Sequence, residues 1–176
     1  FWFWATINFS TVIPAVLGST ELMGSFLKKP IKGPIIAPTK ATTTGVFLAG
    51  WAMLALMVAW PGVFFPFVWI SLYFILEPIN IWLGQPSLVV WTKDGNWRPV
   101  VSLWLGVLLV AFFWEMWNYF SYPKWVYHVP WGNWFHIFEM PLLGYGGYLP
   151  FALGLFAMYH LLAGLFGNRK TDYVMK

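Results

Sequence analysis

Residues 42–60, TTTGVFLAGWAMLALMVAW, decide the fold. The run carries no charge, and at a helical rise of about 1.5 Å per residue it reaches most of the way across a hydrocarbon core about 30 Å thick. Pro61-Gly62 stops it. Outward from it toward the C-terminus, residues 64–84 (FFPFVWISLYFILEPINIWLG) return, carrying Glu77-Pro78 inside the run. The loop QPSLVVWTKDGNWR follows, with a turn signal at Asp94-Gly95. Residues 99–120 form the next run, opened by Pro99 at the favoured first-turn position. An aromatic loop, 121–134, leads to HIFEM, a break at Pro141, and Gly144, Gly146 and Gly147 ahead of a last run from about 148 to 165. A polar tail, NRKTDYVMK, closes the chain.

In the other direction, KKPIKGPIIAPTK has three prolines and four lysines, a pattern that precludes a buried helix. Ser19, Thr20 and Glu21 read as a helix start. Residues 1–17 are apolar but interrupted by Pro14, and position 1 is Phe inside an apolar run. The expectation is one transmembrane domain over 1–176 whose extreme N-terminus lies upstream of Phe1.

Composition agrees. Of 176 residues, 60% are hydrophobic and only 9% charged, against about 25% charged in a soluble domain, so there are too few charges to cover a water-facing surface. The absence of cysteine excludes disulfides, thiolate metal sites and iron–sulfur clusters, and a net charge of +4 is too thinly spread for nucleic acid. The expected fold is therefore all-α: a polytopic transmembrane helix bundle of about five crossings plus a short re-entrant or interfacial segment near 135–146. Alternation puts Lys28, Lys29, Lys32, Lys40, Lys93, Arg98, Arg169, Lys170 and Lys176 on one side and Lys124 alone on the other. The positive-inside rule then places the tail in the cytoplasm and loop 121–134 on the periplasmic or extracellular face.

Polar residues at membrane depth are the candidate functional groups. Glu77 is either a proton donor or ligand contact, or a neutral group bonded to carbonyls freed by Pro78. Glu115, Asn118 and Tyr119 fall on one helical face as carboxyl, carboxamide and phenol. His136 and Glu139, spaced i, i+3, would share a face if HIFEM is helical, and with Glu115 and His128 they could form a carboxylate and imidazole cluster. The paired Glu-x-x-His motifs of di-iron bundles are absent, so no metal is assigned. His160 has no partner histidine for two-point haem ligation, and Phe156 stands where light-harvesting helices carry Ala; a backbone-satisfied histidine is favoured over a single-ligand pigment site. Gly147, Gly154, Ala157 and Gly164 form a smooth seam for helix packing. Trp114, Trp117, Trp125, Trp131 and Trp134 exceed what an interfacial belt requires and suggest an aromatic-lined hollow or a lid.

With WPGVFFPFVW and the EPIN-to-PSL region, the motifs WEMWNY, PKWVYHVP and FEMPLLGYGGYLPF resemble those of a family of uncharacterised, aromatic-rich, multi-pass bacterial membrane proteins. That resemblance implies a bacterial inner membrane location and carries no activity. The order of Glu77-Pro78, a turn, then Glu139 and Pro141 before an apolar helix is more remotely similar to membrane lycopene cyclases and carotenoid hydratases, whose intramembrane acids protonate a polyene; their paired acidic motifs are missing here. Two functions follow as expectations. The leading one is a non-catalytic integral subunit of a larger bioenergetic or photosynthetic membrane complex, packing against partner helices and lipid, quinone or carotenoid. The alternative is a membrane enzyme acting on an isoprenoid, carotenoid or lipid, with Glu115 or Glu139, and less directly Glu77, as general acid. A transporter or proton path through Glu77, Glu115 and His160 ranks third.

Overall fold

Thr39 starts the helix over the central apolar run by accepting a hydrogen bond from the Thr42 amide at 3.2 Å. In this computed structural model, which describes residues 10–127 and 132–167, that helix is α2 (Lys40–Ala59), preceded by α1 (Val12–Phe26). Pro61 ends α2 and opens a single turn, α3 (Pro61–Phe64), after which Pro66 redirects the chain into α4 (Phe67–Trp82). Gly84, at φ +66°, closes α4 in the left-handed conformation that glycine adopts without cost. A one-turn helix α5 (Leu88–Trp91) and the expected Asp94-Gly95 turn, with Gly95 at φ +78°, lead into α6 (Arg98–Phe120), where Pro99 sits in the first turn. A two-strand hairpin, β1 (His136–Ile137) and β2 (Met140–Pro141), then a 3-10 turn over Leu142–Gly147, precede α7 (Tyr148–Leu165).

The structure is mostly helical, and three helical stretches are long and apolar enough to cross a membrane: Lys40–Ala59, Arg98–Phe120 and Leu142–Leu165. Helices α1 and α4 are apolar but shorter, at 15 and 16 residues. The helices pack in the order α2, α4, α7, α6, α1. Thr20 against Gly106 and Arg98 on the Gly24 carbonyl make α1 and α6 antiparallel. Trp82 on Thr43, with Ile75 against Gly50, does the same for α2 and α4. Trp69 with Phe151 and Asn80 with Ala157 make α4 and α7 parallel. The core lies among α1, α5, α6 and α7, where Val16, Leu17, Leu88, Leu103, Val107 and Phe156 are buried.

Three expectations change. Ser19, Thr20 and Glu21 lie inside α1: Thr20 returns its hydroxyl to the Val16 carbonyl at 2.7 Å, as threonine does within apolar helices, and Pro14 occupies the first turn, where its missing N–H breaks nothing. HIFEM is a hairpin, because Ile137 pairs with Met140 across a two-residue turn in which Phe138 takes φ +58°, so the i, i+3 relation of His136 and Glu139 has no helical face to act on. The tryptophans expected to line a hollow or form a lid are not gathered together: Trp117, Trp125 and Trp134 are mostly exposed, while Trp114 packs on Tyr148. Trp131, the N-terminal residues 1–9 and the basic tail lie outside the described residues.

Among the described glycines, the tightest approach to another backbone is where α6 crosses α1. A Cβ on Gly106 would stand 2.6 Å from the Thr20 amide nitrogen, a backbone atom that cannot rotate away. Gly106→Ala is therefore expected to destabilise by about 1–3 kcal/mol through overpacking. Gly154→Ala, with nothing within 4 Å of its Cβ, should leave stability unchanged or raise it, since alanine is the better helix former. Thermal unfolding in one detergent compares the two; equal midpoints would mean that α1 is not held by this contact.

Candidate functional site

Two carboxyls are sealed inside the described residues, near the C-terminal ends of α4 and α6. Glu77 is 1% exposed. Its Oε1 accepts from the Ser87 hydroxyl at 2.8 Å and from the Val89 amide at 2.9 Å, and the Tyr73 hydroxyl lies beside the same carboxyl. Ser87 in turn caps α5 by accepting from the Val90 amide. So Glu77 does not bond the carbonyls around Pro78. It caps the segment that follows, at the helix N-terminus where an acidic group is best placed.

Glu115 is fully buried. Its Oε1 accepts two phenols, Tyr127 at 2.7 Å and Tyr148 at 2.6 Å, while Oε2 is buried without a partner. Trp125 donates its indole N–H to the Tyr127 oxygen at 2.7 Å, so a chain of hydrogen bonds runs from loop 121–127 through α6 to α7. Asn118, one turn beyond Glu115, clasps the Trp125 backbone at both ends: its amide donates to the carbonyl and its oxygen accepts from the N–H, each at 2.9 Å. Burial first, and then the hydrogen bond and charge of Glu115, push the Tyr127 hydroxyl well above its ordinary value.

Of the residues expected to cluster, Glu115 and Asn118 share this network and the others do not join it. Tyr119 points outward, its ring against Phe120, Phe138 and the Lys124 ammonium. Glu139 pairs with Lys124, and His136 contacts Asn133 at 3.1 Å. His128 lies outside the described residues. Among the described residues no three His, Asp or Glu side chains come within metal-binding reach of one another. His160 is buried, its Nδ1 3.0 Å from the Phe156 carbonyl and its ring 4.1 Å from the Phe156 ring. Along α7, Gly147 faces Trp69, the Ala157 carbonyl accepts from Asn80 at 2.8 Å, and Gly164 lies against Gln85; Gly154 has open space.

Chemically, both carboxyls act as acceptors for groups of the chain itself. An open hollow lined by Pro38, Lys40, Thr43, Thr44, Ile81 and Trp82 touches neither. Tyr127 and Tyr148, 12 and 33 residues from Glu115, are not marked by any sequence pattern, because no periodicity links them to it. Ser87 ahead of LVVW was a legible cap signal.

Glu77→Ala would strand the Ser87 hydroxyl and the Val89 amide and should cost roughly 1.5–3 kcal/mol, whereas Glu77→Gln, which keeps an acceptor, should cost less. Denaturant unfolding in detergent checks the order; an alanine variant as stable as wild type would mean that α5 is held by its apolar contacts alone. A raised phenol favours the folded state while protonated: its contribution is complete below the unfolded value of about 10 and is lost as pH rises through the folded one. The unfolding midpoint should therefore fall with pH above about 10, and less steeply in Tyr127→Phe. Identical alkaline slopes would show that Tyr127 titrates as it does in the unfolded chain.

Compared with known proteins, the chain matches no protein-family model, no curated protein and no solved structure, so its own geometry carries the functional argument.

Proposed function

We propose that this chain is a non-catalytic integral subunit of a larger membrane assembly. The observation that carries the proposal is the use made of its buried polar groups: Glu77, Asn80, Glu115 and Asn118 each bind another part of the same chain, and the open hollow beside α2 and α4 touches neither acid. Five crossings with the tail in the cytoplasm belong to the same proposal. Supporting them, the packing directions of α1, α2, α4, α6 and α7 are those of strictly alternating helices, and the two lysine-bearing loops are hydrogen-bonded to each other at one end. The proposal puts that assembly in a bacterial inner membrane, with lipid, quinone or carotenoid against the outward aromatic faces.

Helix α2 supports the reading of a subunit. It packs chiefly on α4 and turns Gly45, Ala49, Ala52 and Ala59 outward. Lipid chains need no smooth stripe, whereas close helix–helix contacts in membranes use one, so the partner is a transmembrane helix of another subunit. The alternative, an isoprenoid or lipid enzyme, draws on the unpartnered Glu115 Oε2 as the point where an acid would act.

Solubilised gently from its native membrane, the chain should migrate in a complex well above its own 20.3 kDa plus micelle. Ala49→Leu with Ala52→Leu should reduce the assembled fraction about tenfold by a clash costing about 1–3 kcal/mol, and leave the released chain folded. A monodisperse monomer, or an assembly indifferent to both substitutions, overturns the proposal. A changed membrane lipid or carotenoid profile in Glu115→Gln would favour the enzyme instead.

A further inference from the structure

Residues 31–34 and 95–98, which flank different helices and are separated in the chain by α2 to α5, are fastened into one platform. Gly33 donates its N–H to the Gly95 carbonyl at 3.0 Å, and Trp97 donates to the Ile31 carbonyl at 2.7 Å. The Asn96 side-chain oxygen accepts from both the Ile31 and the Arg98 amides, at 3.3 and 3.2 Å. The Trp97 indole donates to the Pro34 carbonyl at 2.7 Å and lies so close over Gly33 that no side chain fits there. Arg98 is used to bind the Gly24 carbonyl at the end of α1.

This platform concentrates like charge. Lys32 stands in the bridge opposite Asn96, Lys93 stands in the turn beside it, and Lys28 and Lys29 follow the α1 end that Arg98 holds; all four are exposed. Among the described residues the one ion pair is Lys124 with Glu139, on the loop after α6 and the hairpin, so none of these lysines is paired within the described residues. The acids nearest in sequence are Asp94 and Glu21. Rigid hydrogen bonding that holds several unpaired lysines together raises their mutual repulsion, and an external anion relieves it. Half-buried Trp97 supplies the amphipathic surface that sits at a headgroup boundary.

We propose that the platform formed by residues 31–34 and 95–98 binds the phosphate headgroup of an anionic membrane phospholipid through Lys32 and Lys93, with Lys28 and Lys29 at its edge. Asn96 is a positioning residue: it touches no headgroup and sets the two lysines at a fixed separation. The site does not depend on the subunit proposal above, and a monomer would bind lipid equally well.

Native mass spectrometry of the full chain, released from micelles containing equal phosphatidylglycerol and phosphatidylcholine, reads the preference directly. Phosphatidylglycerol adducts should dominate by at least about fivefold, and Lys32→Gln and Lys93→Gln should each reduce that ratio by about fivefold, the effect of one lysine at an anionic surface. Lys124→Gln, on the opposite end, should change nothing. Asn96→Ala keeps every charge and should still erase most of the preference, with an unchanged circular dichroism spectrum reporting an intact helix bundle. The lysine variants, at exposed positions, stand as a second test should Asn96→Ala unfold. Equal adducts of the two lipids would overturn the proposal, as would a preference that survives in folded Asn96→Ala, which would mean diffuse charge without a site. Displacement of the lipid by millimolar inorganic phosphate would also overturn it, since the ligand would then be free phosphate.

Discussion

Hydrocarbon offers no hydrogen-bond partner, so a polar group drawn into the bundle is stable there chiefly through bonds to the chain itself. Glu77 shows how much of the structure hangs on this. Pro78 beside it carries no N–H and so weakens the α4 ladder, and a carboxyl at that point would be expected to repair its own helix. It reaches instead across to residues 87–89, capping α5. With its amides satisfied, that short segment can be drawn up against the bundle, where Leu88 is 1% exposed and Trp91 packs on Phe156. The link between α4 and α6 thereby becomes part of the core.

The other end uses the same device with different chemistry. Glu115 and Asn118 stand on the last turns of α6 and recruit the chain that follows: Asn118 takes the Trp125 backbone, and Glu115 takes the Tyr127 phenol. Glu115 also takes Tyr148, the first residue of α7, and so fixes where the last helix begins. Backbone amides suit the Glu77 site because the recruited piece is a helix start. At the Glu115 site the carboxyl instead takes phenols, which reach it from a loop residue and from the first residue of α7. Lys124 paired with Glu139 then ties the loop to the hairpin beyond it.

What could be read from sequence alone follows from the range of the forces involved. The apolar runs, the Asp94-Gly95 turn, Pro99 in the first turn of α6 and the shared face of Glu115 and Asn118 all depend on neighbours within a few residues, and all are legible. Tyr119 obeys the same spacing yet lies on the outward flank, because a face is wider than a site. Ser19, Thr20 and Glu21 mimic a cap because the residue types that cap helices in water also bond back to the preceding turn inside apolar helices. The HIFEM hairpin is invisible to pattern because two phenylalanines, Phe135 and Phe138, take positive φ, a conformation that bulky residues rarely accept. For Phe138 the offset is visible: its ring is held between Phe112 and Tyr119.

Helix order carries the last step. Helix α2 stands at one end, packed chiefly on α4, while α1, α6 and α7 meet around the core, and the tight contact of Gly106 on Thr20 locks α1 to α6. The small residues of α7 lie against Trp69, Asn80 and Gln85. A conduction path needs polar groups facing a shared axis, whereas Glu77, Glu115 and His160 are each enclosed by different neighbours, Ser87 and Val89 for the first, two phenols for the second and aromatic rings for the third. On the outward side of α2 the small residues Gly45, Ala49, Ala52 and Ala59 stand beside exposed Leu48, Trp51 and Val58, so that face combines room for close approach with apolar bulk, and the enclosure that weakens a transport role for a single copy leaves it open.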